Sequence, residues 1–152
     1  MEAHYYQVDV NWNSERKGVM CSPELNKDAG SCIEVATPPD FPKGMPGIWS
    51  PEHLFTAAVS SCLMTTFLAI AENSKLTYTG FSCRSKGKLE QVDGKFMMSE
   101  VVLEPTVTIT DEKDRERAER VLQKSEAACL ISNSVKSTIT MIPTIVVQAT
   151  NT

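Results

Sequence analysis

The sequence predicts an α+β domain with the element order β-β-β-α-β-β-α-β. Three observations predict it. Strand-like and helix-like stretches are mixed without the regular alternation of a parallel α/β fold. Residues 53–71 run without a single Asp, Glu, Lys or Arg, which reads as a helix apolar on all sides. Residues 111–128 carry apolar side chains at three- and four-residue spacing among charges, which reads as an amphipathic helix. At 152 residues the chain can bury a core without staples. It reads as one domain, residues 1–152, with no internal repeat and no linker.

Residues 4–12, HYYQVDVNW, alternate and are rich in Tyr, Val and Trp, which predicts a strand. Asn13-Ser14 then predicts a turn, and 17–22 and 31–36 predict two further strands of a meander. Residues 37–50, TPPDFPKGMPGIWS, hold four prolines, so neither a helix nor a central strand survives there. This loop also carries Phe41, Met45, Ile48 and Trp49, apolar side chains expected to cover a core or line a pocket mouth. Ser50-Pro51-Glu52 opens the first helix: Ser caps, Pro suits the first helical position, and Glu favours the positive helix end. That helix should run to about Asn73. Residues 77–90 and 95–110 predict a hairpin around Val92-Asp93-Gly94, with Pro105 implying an edge or a bulge. In the second helix Ala118, Val121, Leu122, Ser125 and Cys129 share one face. A helical turn over 132–137 and a last strand over 138–149 complete the order.

Charge excludes some function classes. The formal net charge is −4, which disfavours nucleic acid and anionic membrane surfaces as partners. The 53–71 segment is long enough to span a bilayer, but its Ser, Thr, His and Cys content and its unbiased flanks favour a buried core helix. The N-terminal MEAHYYQVDVNW has no basic and apolar leader pattern, so a cytoplasmic, reducing location is expected.

Cysteine use is the main chemical question. The five cysteines are Cys21, Cys32, Cys62, Cys83 and Cys129. No Cys-x-x-Cys pair occurs, and His4 and His53 lie far from zinc-ligand spacing. From the residues alone, each cysteine reads as a small buried hydrophobe. Glu52 reads as helix-end chemistry, Arg16 as a turn charge and His53 as a surface histidine at a helix start.

The combination of motifs goes further. WSPEHLFTAAVSSCLMTTFLAIAE resembles the central helix of the OsmC/Ohr family of organic hydroperoxide reductases, with Pro51, Glu52, Leu54, Ala58 and Cys62 in register. Cys129 followed by Ser132, Asn133 and Lys136 resembles the family's second cysteine motif, although Leu130 stands where a proline is common. The Thr-Pro loop before the helix looks like the Ohr branch. The SERKG turn resembles that branch's arginine turn and places Arg16 at its active-site position, with Lys43 as the alternative cation.

The resemblance implies an OsmC-like fold, an intertwined homodimer with central helices at the interface, and a peroxiredoxin-like thiol peroxidase of the oxidative stress response. Cys62 would attack an organic hydroperoxide, and its sulfenic acid would condense with Cys129 into a disulfide. An external dithiol, of lipoyl type in the family, would reduce that disulfide; no cofactor or metal is implied. Arg16 would hold the Cys62 thiolate and Glu52 would hold the guanidinium. On one straight helix Glu52 and Cys62 lie ~15 Å apart along the axis and ~80° around it. They cannot serve one arginine within a subunit, so a two-fold dimer with Glu52 of one chain near Cys62 of the other is expected. Two other readings compete: a non-catalytic ligand-binding or adaptor dimer on the same fold, and a thiol hydrolase or acyl carrier using Cys62 alone, which would need a histidine base.

Overall fold

The computed structural model describes residues 1–25 and 31–149. The chain divides into two compact units, Met1–Leu54 and Phe55–Thr152.

In the first unit three strands form an antiparallel sheet in the order β1-β2-β3: β1 (Asp9–Ser14), β2 (Lys17–Cys21) and β3 (Ile33–Ala36). The meander is as expected, but its edges shift. Residues 4–8 stand outside β1, and the turn falls at Glu15-Arg16 rather than Asn13-Ser14. Glu15 takes the left-handed conformation, φ 50°, and an irregularity between Trp12 and Ser14 absorbs the extra residue. The proline loop is regular only where Trp49 bridges Val35, with Ala36 N–H donating to the Trp49 carbonyl at 2.9 Å.

Helix α1 (Pro51–Asn73) starts where the sequence predicts. Ser50 Oγ accepts from His53 N–H at 3.2 Å, and His53 Nδ1 accepts from Ser50 N–H at 3.3 Å. This is a capping box with histidine in the place usually held by glutamate. The helix is long and apolar enough to cross a membrane. Here Val59, Leu63, Phe67 and Ala71 are fully buried in the core of the second unit.

That unit is built on β4 (Gly80–Val92) and β5 (Lys95–Ile109), a long hairpin closed by Asp93 and Gly94, both at positive φ, as a two-residue turn requires. β5 is central. It pairs antiparallel with β4 and parallel with β6 (Thr138–Met141) and β7 (Thr144–Val147). Its buried residues alternate: Val101, Leu103, Pro105, Val107 and Ile109. The single last strand expected over 138–149 is therefore two strands, interrupted at Ile142-Pro143. Pro105 marks neither an edge nor a bulge; it falls where the parallel ladder passes from β6 to β7, a place that asks least of a missing N–H. The bulge lies instead at Lys88/Leu89.

A short 3-10 turn (Glu112–Asp114), capped by Asp111 Oδ1 accepting from Lys113 N–H at 3.0 Å, leads into α2 (Arg115–Ala128). Its face of Ala118, Val121, Leu122 and Ser125 is buried as predicted. The core groups Phe67, Ala71, Val107, Ile109, Ala118 and Leu122, so both helices pack on the sheet. Gly87 on β4 leaves room for the helix: a Cβ there would overlap Thr56 Oγ1.

Candidate active site

Two of the four predicted site residues meet in the second unit. Cys62 sits midway along α1 and is nearly closed off from solvent, at 8% exposure. Its Sγ lies 3.9 Å from Thr66 Oγ1, one helical turn on. Cys129 is the C-terminal cap of α2 and is fully buried. The amphipathic stripe of α2 carries it inward. A 3-10 turn at Ser132–Ser134 follows, anchored by Asn133 N–H donating to the Cys129 carbonyl at 3.0 Å.

The two thiols act on each other, and their acidities are driven apart. Burial pushes the Cys62 thiol up. Donors outweigh it: the Cys129 thiol, the Ile131 amide, the Thr66 hydroxyl and the Leu130 amide leave Cys62 more acidic than an ordinary cysteine. Burial raises the Cys129 thiol, and donation to Cys62 raises it further, against smaller lowering contributions from Ser132. Cys62 is thus the better thiolate and Cys129 the better proton holder.

Thr66 and the amides of Leu130 and Ile131 are the members of this cluster that sequence reasoning passed over. Leu130 had a usable signal. A proline there would have no N–H; leucine keeps one, and it is directed at Cys62.

Arg16 and Glu52 lie on one cavity of the first unit, of about 690 Å³, with Trp12, Gly18, Phe41 and Pro51. The arginine turn is fixed by its backbone: Trp12 Nε1 donates to the Glu15 carbonyl at 3.1 Å, and Thr37 N–H donates to the Arg16 carbonyl at 3.2 Å. Lys43, the alternative cation, shares a neighbouring concavity of about 620 Å³ with Arg16, Glu15 and Met45. His53, the base a thiol hydrolase would need, has its Nδ1 2.7 Å from Ser50 Oγ at the helix start.

The remaining cysteines depart from the expectation that they are buried filler. Cys21 and Cys32 are joined in a disulfide. Cys21 ends β2 and Cys32 immediately precedes β3, and the register that sets Met20 opposite Ile33 brings them together, which composition does not reveal. Cys83 is free and half-buried on β4, with Sγ 3.4 Å from Ser85 Oγ.

The sequence model for OsmC-like proteins matches residues 44–143, two thirds of the chain. The chain belongs to the OsmC-like family. Three further similarities agree with it. The uncharacterized Bacillus subtilis protein YmaD is 23% identical over 142 residues, covering 91% of each chain. An OsmC-like protein of unknown function from Vibrio cholerae superposes with a TM-score of 0.79 at 24% identity, covering 93% of this chain and 99% of the other. A Legionella pneumophila structure described as an organic hydroperoxide resistance protein OsmC gives 0.73 at 20% identity, covering 97% and 100%. The fold of this OsmC-like protein is therefore the α+β fold that the sequence predicts.

Proposed function

We propose that this OsmC-like protein is a thiol-dependent peroxidase that reduces organic hydroperoxides to alcohols. The observation that carries the reading is a pair of buried cysteines, Cys62 on α1 and Cys129 at the end of α2, that act on each other and have opposed acidities. Divergent acidities in one pair separate a nucleophile from its partner.

The reaction balances on these two residues and an external dithiol. The Cys62 thiolate attacks the distal oxygen of ROOH, the O–O bond breaks, and RO⁻ takes a proton and leaves as ROH. Cys62 is now a sulfenic acid. The Cys129 thiol attacks that sulfur, an S–S bond forms, and water departs. That step requires the Cα atoms of Cys62 and Cys129 to come within about 7 Å. A dithiol of lipoyl type then restores both thiols by exchange.

Arg16 and Glu52 have a more distant role in this reading. Their cavity, with Trp12 and Phe41 on its wall, offers a cation, a carboxylate and apolar surface. The family resemblance assigns Arg16 the stabilisation of the thiolate and Glu52 the holding of the guanidinium, with Glu52 of one chain approaching Cys62 of the other in a two-fold homodimer. Alkyl or lipid hydroperoxides would then be favoured over hydrogen peroxide.

Consumption of tert-butyl hydroperoxide with dihydrolipoamide as reductant tests the reading. Wild type should turn over. Cys62→Ser should show no turnover above the uncatalysed rate, and Cys129→Ser should support only a single turnover. Full turnover by Cys62→Ser would refute it.

A further inference from the structure

We infer that Cys21 and Cys32 form a second redox site, opened by dithiols at Cys32. The pair lies where β2 and β3 run side by side. Met20 is opposite Ile33 in that ladder, and one step further puts Cys21 opposite Cys32. Their Cα atoms are 4.4 Å apart, close to the ~4.5 Å of a directly opposed, non-hydrogen-bonded antiparallel pair, where facing side chains come nearest. The bond therefore forms or opens without moving either strand to meet the other. It is distinct from the Cys62 and Cys129 pair, since both of those thiols are free.

Exposure decides which sulfur is attacked. Cys32 is exposed and Cys21 is half-buried. Accessible disulfides are the labile ones, and the sulfur that can be reached is the one attacked. A thiolate of an external dithiol attacks Cys32 Sγ. The Cys21–Cys32 bond breaks, and Cys21 leaves as a thiolate and takes a proton. The second thiol of the reductant then displaces Cys32 from the mixed disulfide, and the reductant departs as its own disulfide. Two electrons pass from reductant to protein. In the reverse direction a low-molecular-weight disulfide, such as oxidised glutathione, oxidises the pair through a mixed disulfide on Cys32.

The test uses the full chain carrying Cys62→Ser and Cys129→Ser, so its outcome is independent of the peroxidase reading. After oxidation with oxidised glutathione and removal of the reagent, unfolding in N-ethylmaleimide should label one cysteine, Cys83. Dithiothreitol applied to the folded protein should raise that to three. Adding Cys21→Ser should leave a Cys32 that forms the glutathione adduct at least tenfold faster than Cys21 does when Cys32→Ser is added instead. Wild type digested without reductant should give the Cys21–Cys32 peptide pair, which guards against a variant that fails to fold. Three labelled cysteines after oxidation would overturn the proposal. So would a bond that dithiothreitol opens only in denaturant, or equal adduct rates at the two cysteines.

Discussion

At the scale of single residues the account turns on what lowers Cys62. A buried thiol should be less acidic than a free one, yet here four donors reverse the sign. Removing a donor destabilises the thiolate, so the inflection must rise. Iodoacetamide alkylation of Cys62 should therefore titrate lower than that of an ordinary cysteine in wild type and move upward in Cys129→Ala. An unchanged inflection would mean that the Cys129 thiol contributes nothing. Leu130→Pro is the finer probe. Cys129 is already extended, with φ −65° and ψ 110°, the conformation a following proline favours, so the substitution removes one N–H with little strain. It should raise the inflection by less than Cys129→Ala does. The roles proposed for Cys62 and Cys129 come only from the family motifs, because spacing and composition also allow inert buried cysteines. The Leu130 and Ile131 amides were not legible, since a backbone donor leaves no mark in side-chain chemistry. The Cys21–Cys32 bond was hidden for a different reason: it depends on the register of β2 against β3, not on the two strands being present.

At the scale of elements, α1 was the most legible part of the chain. Ser50, Pro51 and Glu52 mark its start through capping, fixed φ and the helix dipole, and the structure begins it there. The cap can be measured. Ser50→Ala removes the acceptor for His53 N–H and the partner of His53 Nδ1, and should cost about 1 kcal/mol of stability in urea unfolding. Phe67 is the larger test. It is fully buried on α1, with ring centroids 5.2 Å from Tyr78 and 4.9 Å from Phe81. Phe67→Ala should cost about 3–5 kcal/mol, a large part of a typical domain's stability. A loss below ~1 kcal/mol would show that the site repacks. The end of the chain was harder to read. The TITMIPTIVV stretch alternates well enough for one strand, and only the parallel pairing with β5 shows that Ile142-Pro143 divides it. Pro105 misled for a related reason: a proline is tolerated in a central strand when its neighbour's ladder breaks at the same place.

At the scale of the whole molecule, β1 presents its full length to solvent, with Val10 and Trp12 exposed and Tyr5, Tyr6 and Val8 exposed just before it. A run of large apolar side chains on an edge strand favours association, in keeping with the homodimer of the proposed mechanism. Sedimentation at micromolar concentration should give twice the chain mass, and Trp12→Asp should shift it toward one; a wild-type monomer would remove the argument that Glu52 of one chain serves Cys62 of the other. The central claim is that Cys62 attacks and Cys129 resolves. Its most direct measurement is mass spectrometry after one equivalent of tert-butyl hydroperoxide on prereduced protein. The account predicts a Cys62–Cys129 disulfide in wild type and a dimedone-trapped sulfenic acid at Cys62 in Cys129→Ser. Both thiols recovered unmodified, or the sulfenic acid trapped at Cys129 in Cys62→Ser, would contradict it.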